Sequence, residues 1–331
     1  MNAPRDHHFI PAFYLKQWAG RNGKLIEYTR KGGKLIPKPI GPDSTGFERD
    51  LYSFPELPPG AAQFMEQVFF QYADQKASDA LDNHLGVKSL PWTSELVSAW
   101  SRFVIAIHLR HPDAMPELRA AAAAIWTASG LDCQARYDAM RKPTDPPTFD
   151  EYLALRDPLA PVKVRVNMII KALDNEEVGA HINQMRHAIV DVSTAPYRLL
   201  TSDRSVELFN IKEPNGILSI PLSPTKVFVA ANDNATFDKL RRTAPEQLVR
   251  DINTFVATRA RRFVWAQDES QERFIDNKMS TKMEPTPLLP NIARYEPLSP
   301  TTLLADLFPA RVTANDSYHT SLSLHMSSAE I

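Results

Sequence analysis

The chain has 331 residues with a formal net charge of −1 at pH 7, and 43% of its residues are hydrophobic. This apolar content predicts a folded globular protein with a sizeable core and argues against intrinsic disorder. The near-neutral charge excludes a global field that would attract nucleic acid or an anionic membrane, and the single cysteine excludes a disulfide framework and any multi-cysteine metal site.

Near its start the chain has two adjacent histidines, His7 and His8, directly before the apolar run Phe9–Leu15. Termini fray unless packing holds them, so a terminus this apolar must lie against the folded body and bring the imidazoles with it. Neighbouring side chains of an extended segment point to opposite faces, which predicts one histidine facing inward. Two interpretations stay open for that side chain: a base or metal ligand in a polar cleft, or a hydrogen-bonded histidine that fastens the terminus.

A hairpin and then a long helical part follow. β-like runs on either side of Gly32-Gly33 predict the hairpin, and from about residue 61 to about residue 190 the apolar residues recur with a helical period. One helix is expected to end before Pro112, because the residue before a proline disfavours the helical region. A long helix is expected from Val162 to Val190, with an interruption near Asn175.

Several polar side chains of the helical part are candidates for a functional site. Arg110 offers a guanidinium that pairs with a carboxylate or a phosphate. Glu66 lies inside the apolar run Phe64–Phe70, where an unpaired buried carboxylate would be costly, so we expect either a polar partner such as Arg110 or an exposed position. His108, His111 and Asp113 suggest a metal site, because the two histidines are three residues apart and share a helix face if the helix extends that far. Pro112 argues that the helix ends there, and the aliphatic neighbours of His108 favour a core or rim position for it.

Short β-like runs separated by turns occupy about residues 196–266, and Thr201-Ser202-Asp203 ends the first of them. Because loops at strand ends often line sites, Asp203 is a candidate metal ligand or a carboxylate that orients an imidazole. The same residues also suit an Asx or Ser turn. Ser202 is a weaker candidate nucleophile, since no Gly-x-Ser-x-Gly elbow surrounds it.

This order of strands, helices and strands predicts an α+β fold, with a central helical bundle packed against a mainly antiparallel sheet built from N-terminal and C-terminal strands. We expect a single domain over residues 1–298 and a flexible C-terminal tail over residues 299–331. No secretory signal is recognisable and no run approaches the roughly 20 apolar residues of a membrane span, which predicts a cytoplasmic protein without a membrane partner.

Five motifs occur in a recognisable order. They are His8-Phe9-Ile10-Pro11-Ala12-Phe13-Tyr14-Leu15, Asp50-Leu51-Tyr52, Ile107-His108-Leu109-Arg110-His111-Pro112, Leu200-Thr201-Ser202-Asp203 and Ile220-Pro221-Leu222-Ser223-Pro224. Together they resemble a widespread, mostly bacterial family known as domain of unknown function 4238, from about His7 to Trp265. The resemblance implies no activity, because none is assigned to the family. It carries over only the motif positions His7, His8, Pro11, Tyr14, Arg110, Ser202 and Asp203. The family pattern has a proline two places after the late aspartate, where this chain has Ser205.

Two hypotheses about function stay open, and whether the protein is an enzyme stays open with them. In the first, the chain is a binding or structural module, in which a polar network joins the N-terminal histidine motif to the Ser-Asp motif. Its binding residues are Tyr14, Glu66 and Ser202. In the second, it is a hydrolase or nuclease-like enzyme acting on a phosphate-containing substrate, with or without a metal. Its catalytic residues are His7, His8, Asp203 and Arg110.

The sequence identifies no cofactor, metal or partner. Two short basic clusters, Arg241-Arg242 and Arg259-Ala260-Arg261-Arg262, can contact phosphates, so nucleic acid is a conceivable partner that the net charge does not indicate. In a chain of neutral overall charge, a solvated basic surface is the simpler interpretation of both clusters.

Overall fold

The structure is a computed structural model and describes residues 5–58 and 61–280. Its elements confirm the predicted α+β class, with helices and antiparallel sheets. The chain divides into two compact units. Of the described residues, the first takes in 5–51, Gln67–Met115 and 173–280, and the second takes in 52–58, 61–66 and Pro116–Ala172. The single domain over residues 1–298 stays a prediction, and the expected tail, residues 299–331, lies outside the described residues.

All strands described here belong to the first unit. They are β1 (Asp6–His8), β2 (Leu25–Lys31), β3 (Lys34–Ile40), β4 (Phe47–Arg49), β5 (Arg186–Asp191), β6 (Thr201–Ser202), β7 (Glu207–Phe209), β8 (Ile217–Ser223), β9 (Lys226–Ala231) and β10 (Val264–Ala266). The same unit holds helices α1 (Ala12–Leu15), α2 (Gln71–Leu85), α3 (Ser94–Leu109), α8 (Glu176–Gln184), α9 (Asn234–Arg242), α10 (Pro245–Arg259) and α11 (Glu272–Lys278).

The second unit is helical. It holds α5 (Gly130–Met140) and α6 (Phe149–Arg156). The division between the units falls inside three further helices, which are a π-helix (Met65–Phe70), α4 (Ala114–Ala128) and α7 (Ala160–Leu173). Cys133, Tyr137, Phe149 and Leu153 pack together as its small core. Within the described residues, no helix is both long enough and apolar enough to cross a membrane.

One four-stranded sheet combines strands from the N-terminal and C-terminal parts of the chain, as predicted. Its order is β3-β2-β10-β6, and every pair is antiparallel. Val264 of β10 lies opposite Tyr28 on one side and Ser202 on the other. The predicted hairpin between β2 and β3 turns through Gly32 and Gly33, whose φ angles of 57° and 81° suit glycine. The late strand β10 therefore sits between a strand from the start of the chain and the strand that leads to Asp203.

A second sheet, β5-β9-β8-β7, corrects one helix prediction. The predicted interruption is real, because α7 ends at Leu173 and the side chain of Asn175 caps α8 by accepting a hydrogen bond from the Val178 amide at 2.9 Å. The helix expected up to Val190 ends at Gln184, however, and Arg186–Asp191 forms strand β5. Pairing with the buried strand β9 outweighs the local helical pattern there.

One hydrophobic core of the first unit lies around α10. Buried side chains of this helix, such as Ile252 and Val256, pack with Val264 from the first sheet and Val229 from the second. A fully buried Val or Leu side chain contributes about 1.5–3 kcal/mol. The packing fixes the segment from the end of α10 to β10, which carries Arg259, Arg261 and Arg262, against the strand that precedes Asp203.

Candidate functional site

The N-terminal segment is tied into the fold by main-chain hydrogen bonds. Strand β1 pairs with β4, so that His7 lies opposite Glu48. The amides of Phe9 and Ile10 then both donate to the carbonyl of Gly46, at 2.9 and 3.0 Å. Gly46 has a φ of 70°, and a Cβ there would lie 3.0 Å from the Ile10 carbonyl oxygen, so the turn requires glycine. His7 is completely buried and His8 partly exposed, which agrees with the expected opposite faces.

Two aromatic side chains of the same segment bond to the late β region. The hydroxyl of Tyr14 donates to the carbonyl of Pro221 at 2.7 Å and lies 2.9 Å from Oγ1 of Thr201 and 3.4 Å from Oγ of Ser205. Burial raises the pKa of Tyr14 well above its ordinary value, so the phenol keeps its proton and remains a donor. Trp18 Nε1 donates to the carbonyl of Leu199 at 2.9 Å. Ser205, at the position of the family's proline, thus adds a hydroxyl to this buried cluster.

Arg110 follows the last residue of α3 and is fully buried. Its Nε donates to the carbonyl of Phe9 at 3.1 Å, and its Nη1 lies 2.9 Å from Oδ1 of Asp74 on α2. Burial raises the pKa of Asp74, and the neighbouring guanidinium opposes that rise. The guanidinium also lies over the ring of Phe70, 5.2 Å from its centroid. Arg110 therefore joins the N-terminal segment to α2, and its ion-pair partner Asp74 was not among the predicted site residues.

Asp203 holds the loop between α10 and β10. Its carboxylate accepts hydrogen bonds from the amides of Arg261 (2.9 Å), Arg262 (2.6 Å) and Phe263 (3.3 Å), and the residue is 1% exposed. Donation from several amides is one of the ways in which a protein stabilises a buried carboxylate. Ser202 Oγ accepts a hydrogen bond from the Arg204 amide at 3.1 Å, so the Ser turn considered for this motif is present.

The imidazole found beside Asp203 is that of His111, whose Nε2 lies 3.5 Å from Oδ2 of the carboxylate. His111 is 1% exposed, and its Nδ1 accepts a hydrogen bond from the Asp113 amide at 3.2 Å. Acceptance at Nδ1 assigns the ring proton to Nε2, towards Asp203. The ring of Phe9 meets His111 edge-on at 5.5 Å and stacks on Phe263 at 6.3 Å. The N-terminal segment thus contacts the same loop that Asp203 holds.

A cationic cluster surrounds Asp113, in the turn between α3 and α4. Oδ2 of Asp113 lies 3.1 Å from Nη2 of Arg204, 3.9 Å from Nε of Arg261 and 3.6 Å from Nδ1 of His111. The side chains of Arg204 and Arg261 are only 11% and 9% exposed, whereas that of Asp113 is 37% exposed. We call this group the Asp113 cluster. It comprises His111, Asp113, Arg204 and Arg261.

Burial is the main cause of two lowered pKa values in and beside the Asp113 cluster. Burial, with Arg204, Arg259 and His111, lowers the pKa of His108 to about 4. Burial and the neighbouring Arg261 also lower the pKa of Arg204, against the opposing effect of Asp113. Both groups hold a proton less readily than in water chiefly because burial disfavours their charged form.

The structure therefore brings most of the predicted site residues into the first unit, where Arg110 contacts Asp74 and Asp203 contacts His111. Glu66, in the π-helix Met65–Phe70, belongs to the second unit, and its binding role stays a prediction. Within the basic segment expected as a solvated surface, Arg259 is exposed, whereas the side chain of Arg261 is only 9% exposed. The sequence analysis did not predict the contact between Asp113 and Arg204. The position of Arg204 directly after the candidate residue Asp203 was the sequence feature that pointed to it. Among the described residues, no group of three or more His, Cys, Asp and Glu side chains is arranged to hold a metal ion.

Comparison with family models finds one described as a protein of unknown function, DUF4238, which matches residues 6–270. Comparison with curated proteins and comparison with solved structures find no match. The match spans the N-terminal segment, Arg110, Asp203 and the loop that Asp203 holds, so these features lie inside the region that defines the family.

Proposed function

We propose that this chain, which belongs to the DUF4238 family, is a non-catalytic binding module whose N-terminal segment is fastened by a buried polar network. In this proposal Tyr14, Arg110 and Asp203 serve structure. They hold the start of the chain against the late β region, and the surfaces that the network positions do the binding. The cytoplasmic location predicted from the sequence is part of the proposal.

The observation that carries the proposal is the state of the Asp203 carboxylate. A carboxylate that acts as a base, a nucleophile or a metal ligand must present a lone pair to substrate, water or metal. Ionised carboxylate oxygens have about four lone-pair positions. Three main-chain amides occupy three of those of Asp203, Nε2 of His111 lies 3.5 Å from one oxygen, and the residue is 1% exposed. Most of its hydrogen-bonding capacity is thus used within the fold.

The burial of the other predicted catalytic residues supports the same proposal. Arg110 and His7 are both 0% exposed. The hydrolase alternative needs an imidazole, Asp203 and Arg110 to meet a substrate in an open cleft. A guanidinium whose Nε bonds to the Phe9 carbonyl and whose Nη1 bonds to Asp74 is placed to hold the fold together.

The substitution Asp203→Asn tests the proposal. An Asn at this position aims an NH₂ group at main-chain donors, which leaves buried amides unsatisfied and costs about 2–4 kcal/mol of unfolding free energy. The matched control is Asp268→Asn, because Asp268 is exposed and accepts only a local bond from the Ser270 amide at 2.9 Å. Its cost is expected within about 0.5 kcal/mol. Thermal unfolding of the three proteins decides: a wild-type Tm in Asp203→Asn contradicts the proposal.

A further inference from the structure

Two arginine side chains converge on one carboxylate in the Asp113 cluster. Oδ2 of Asp113 lies 3.1 Å from Nη2 of Arg204 and 3.9 Å from Nε of Arg261. The other nearby carboxylate, that of Asp203, accepts hydrogen bonds from three main-chain amides.

One donor of the cluster has no acceptor. Nε of Arg204 is buried, and within the described residues it finds no hydrogen-bond partner, although Nη2 of the same guanidinium contacts Asp113. A buried guanidinium N–H that makes no hydrogen bond costs about 1–3 kcal/mol or more. A ligand oxygen would relieve that cost. A guanidinium presents Nε and Nη as a fork that matches the spacing of carboxylate or phosphate oxygens.

Asp113 is more exposed than the two arginines that it contacts. The amide of Arg204 donates to Ser202 Oγ and that of Arg261 to Asp203, which holds the backbone at both positions. The side chain of Asp113 is 37% exposed, against 11% for Arg204 and 9% for Arg261. Rotation of the Asp113 side chain into solvent would open the position that its carboxylate occupies beside Arg204.

We propose that the Asp113 cluster binds a small phosphate monoester or inorganic phosphate, whose oxygens take the place of the Asp113 carboxylate. This inference rests on the proposed binding function and names its class of ligand. A phosphate dianion carries more negative charge than a single carboxylate, and it supplies acceptors for Arg204 Nε as well as Nη2. Asp113 then competes with the ligand for the site.

Calorimetric titration of the full chain with inorganic phosphate and with phenyl phosphate, at constant ionic strength, tests this. Asp113→Asn removes the competing charge and is expected to bind at least about tenfold more tightly than the wild type. Arg204→Gln is expected to bind at least about tenfold more weakly. Arg250→Gln is the matched control, because Arg250 is exposed and pairs with Glu246 one helical turn away; it should bind as the wild type does.

Equal affinities in all four proteins, or no gain in Asp113→Asn, would overturn the inference. Should Arg204→Gln fail to fold, Arg204→Lys keeps the charge and loses the planar fork, and it must still bind more weakly than the wild type. Failure of the anion site leaves the proposed binding function standing if Asp203→Asn is destabilised. Conversely, hydrolysis of phenyl phosphate that is lost in Arg204→Gln would support the anion site and overturn the non-catalytic role.

Discussion

Removal of the Tyr14 hydroxyl tests how strongly the N-terminal segment is fastened. In Tyr14→Phe the Pro221 carbonyl loses its donor at 2.7 Å, and the hydroxyl of Thr201 loses a partner at 2.9 Å. A buried hydrogen bond contributes a net 0.5–1.5 kcal/mol, and a buried acceptor left unsatisfied costs about 1–3 kcal/mol. Because the Tyr14 side chain is fully buried, water does not readily take the place of its hydroxyl. We therefore expect a loss of about 2–4 kcal/mol in unfolding free energy.

Tyr28→Phe is the matched control for that substitution. Tyr28 is also fully buried in the first unit, but within the described residues its hydroxyl has no hydrogen-bond partner. Removing it should change stability by less than about 0.5 kcal/mol or stabilise slightly. Urea unfolding followed by circular dichroism gives both values, with the slope m checked for constancy. A Tyr14→Phe cost no larger than that of Tyr28→Phe would refute the proposed role of the Tyr14 hydroxyl.

Two further predictions concern charged groups. Asp74→Asn removes the carboxylate that contacts the fully buried Arg110, and it should cost about 1.5–3 kcal/mol in urea unfolding, because a hydrogen bond between charged groups contributes about that much and Asp74 is only 27% exposed. The pKa of His108 is about 4 in the folded protein against an ordinary 6.5, so the unfolded chain binds the extra proton between these values and stability falls as the pH drops from 6.5 to 4. The folded and unfolded pKa values of His108 differ by about 2.5 units, and each unit corresponds to about 1.4 kcal/mol, so the loss of unfolding free energy is at most about 3 kcal/mol. His108→Gln should therefore flatten the dependence of Tm on pH between pH 4 and 6.5.

For each of these two predictions, one result would contradict the physical argument. Asp276→Asn is the control for Asp74→Asn, because Asp276 pairs with Arg30 at 2.9 Å but is 55% exposed, and its loss should cost under about 1 kcal/mol. Similar costs for the two variants would mean that the Arg110 pair is not desolvated. For His108, a variant with the wild-type slope of Tm against pH between 4 and 6.5 would show that another group causes the acid sensitivity.

Local patterns predicted the architecture well because they act over a few residues. The glycine pair at the hairpin, the break near Asn175 and the strand around Trp265 all follow from turn chemistry and periodicity. The segment Arg186–Asp191 was predicted as helix, because its strand character arises from pairing with β9, which local sequence does not contain. Tertiary pairing overrides local propensity in such short segments.

The contacts among the predicted site residues are what the sequence does not specify. Tyr14, Arg110 and Asp203 lie in one unit, and the N-terminal segment does meet the late β region. Arg110 contacts Asp74, and the imidazole beside Asp203 is that of His111. Which carboxylate meets which cation depends on side-chain positions across elements far apart in sequence, and residue types alone do not specify them. The catalytic roles considered for His7 and His8 stay predictions.

The most direct test of the central claim is amide hydrogen exchange at Arg261, Arg262 and Phe263, measured in the wild type and in Asp203→Asn. If the Asp203 carboxylate is committed to these three amides, they are strongly protected in the wild type, and the substitution lowers their protection while the amides within α10 keep theirs. Rapid exchange of the three amides in the wild-type protein would contradict the claim, because it would leave the carboxylate free to act on a substrate.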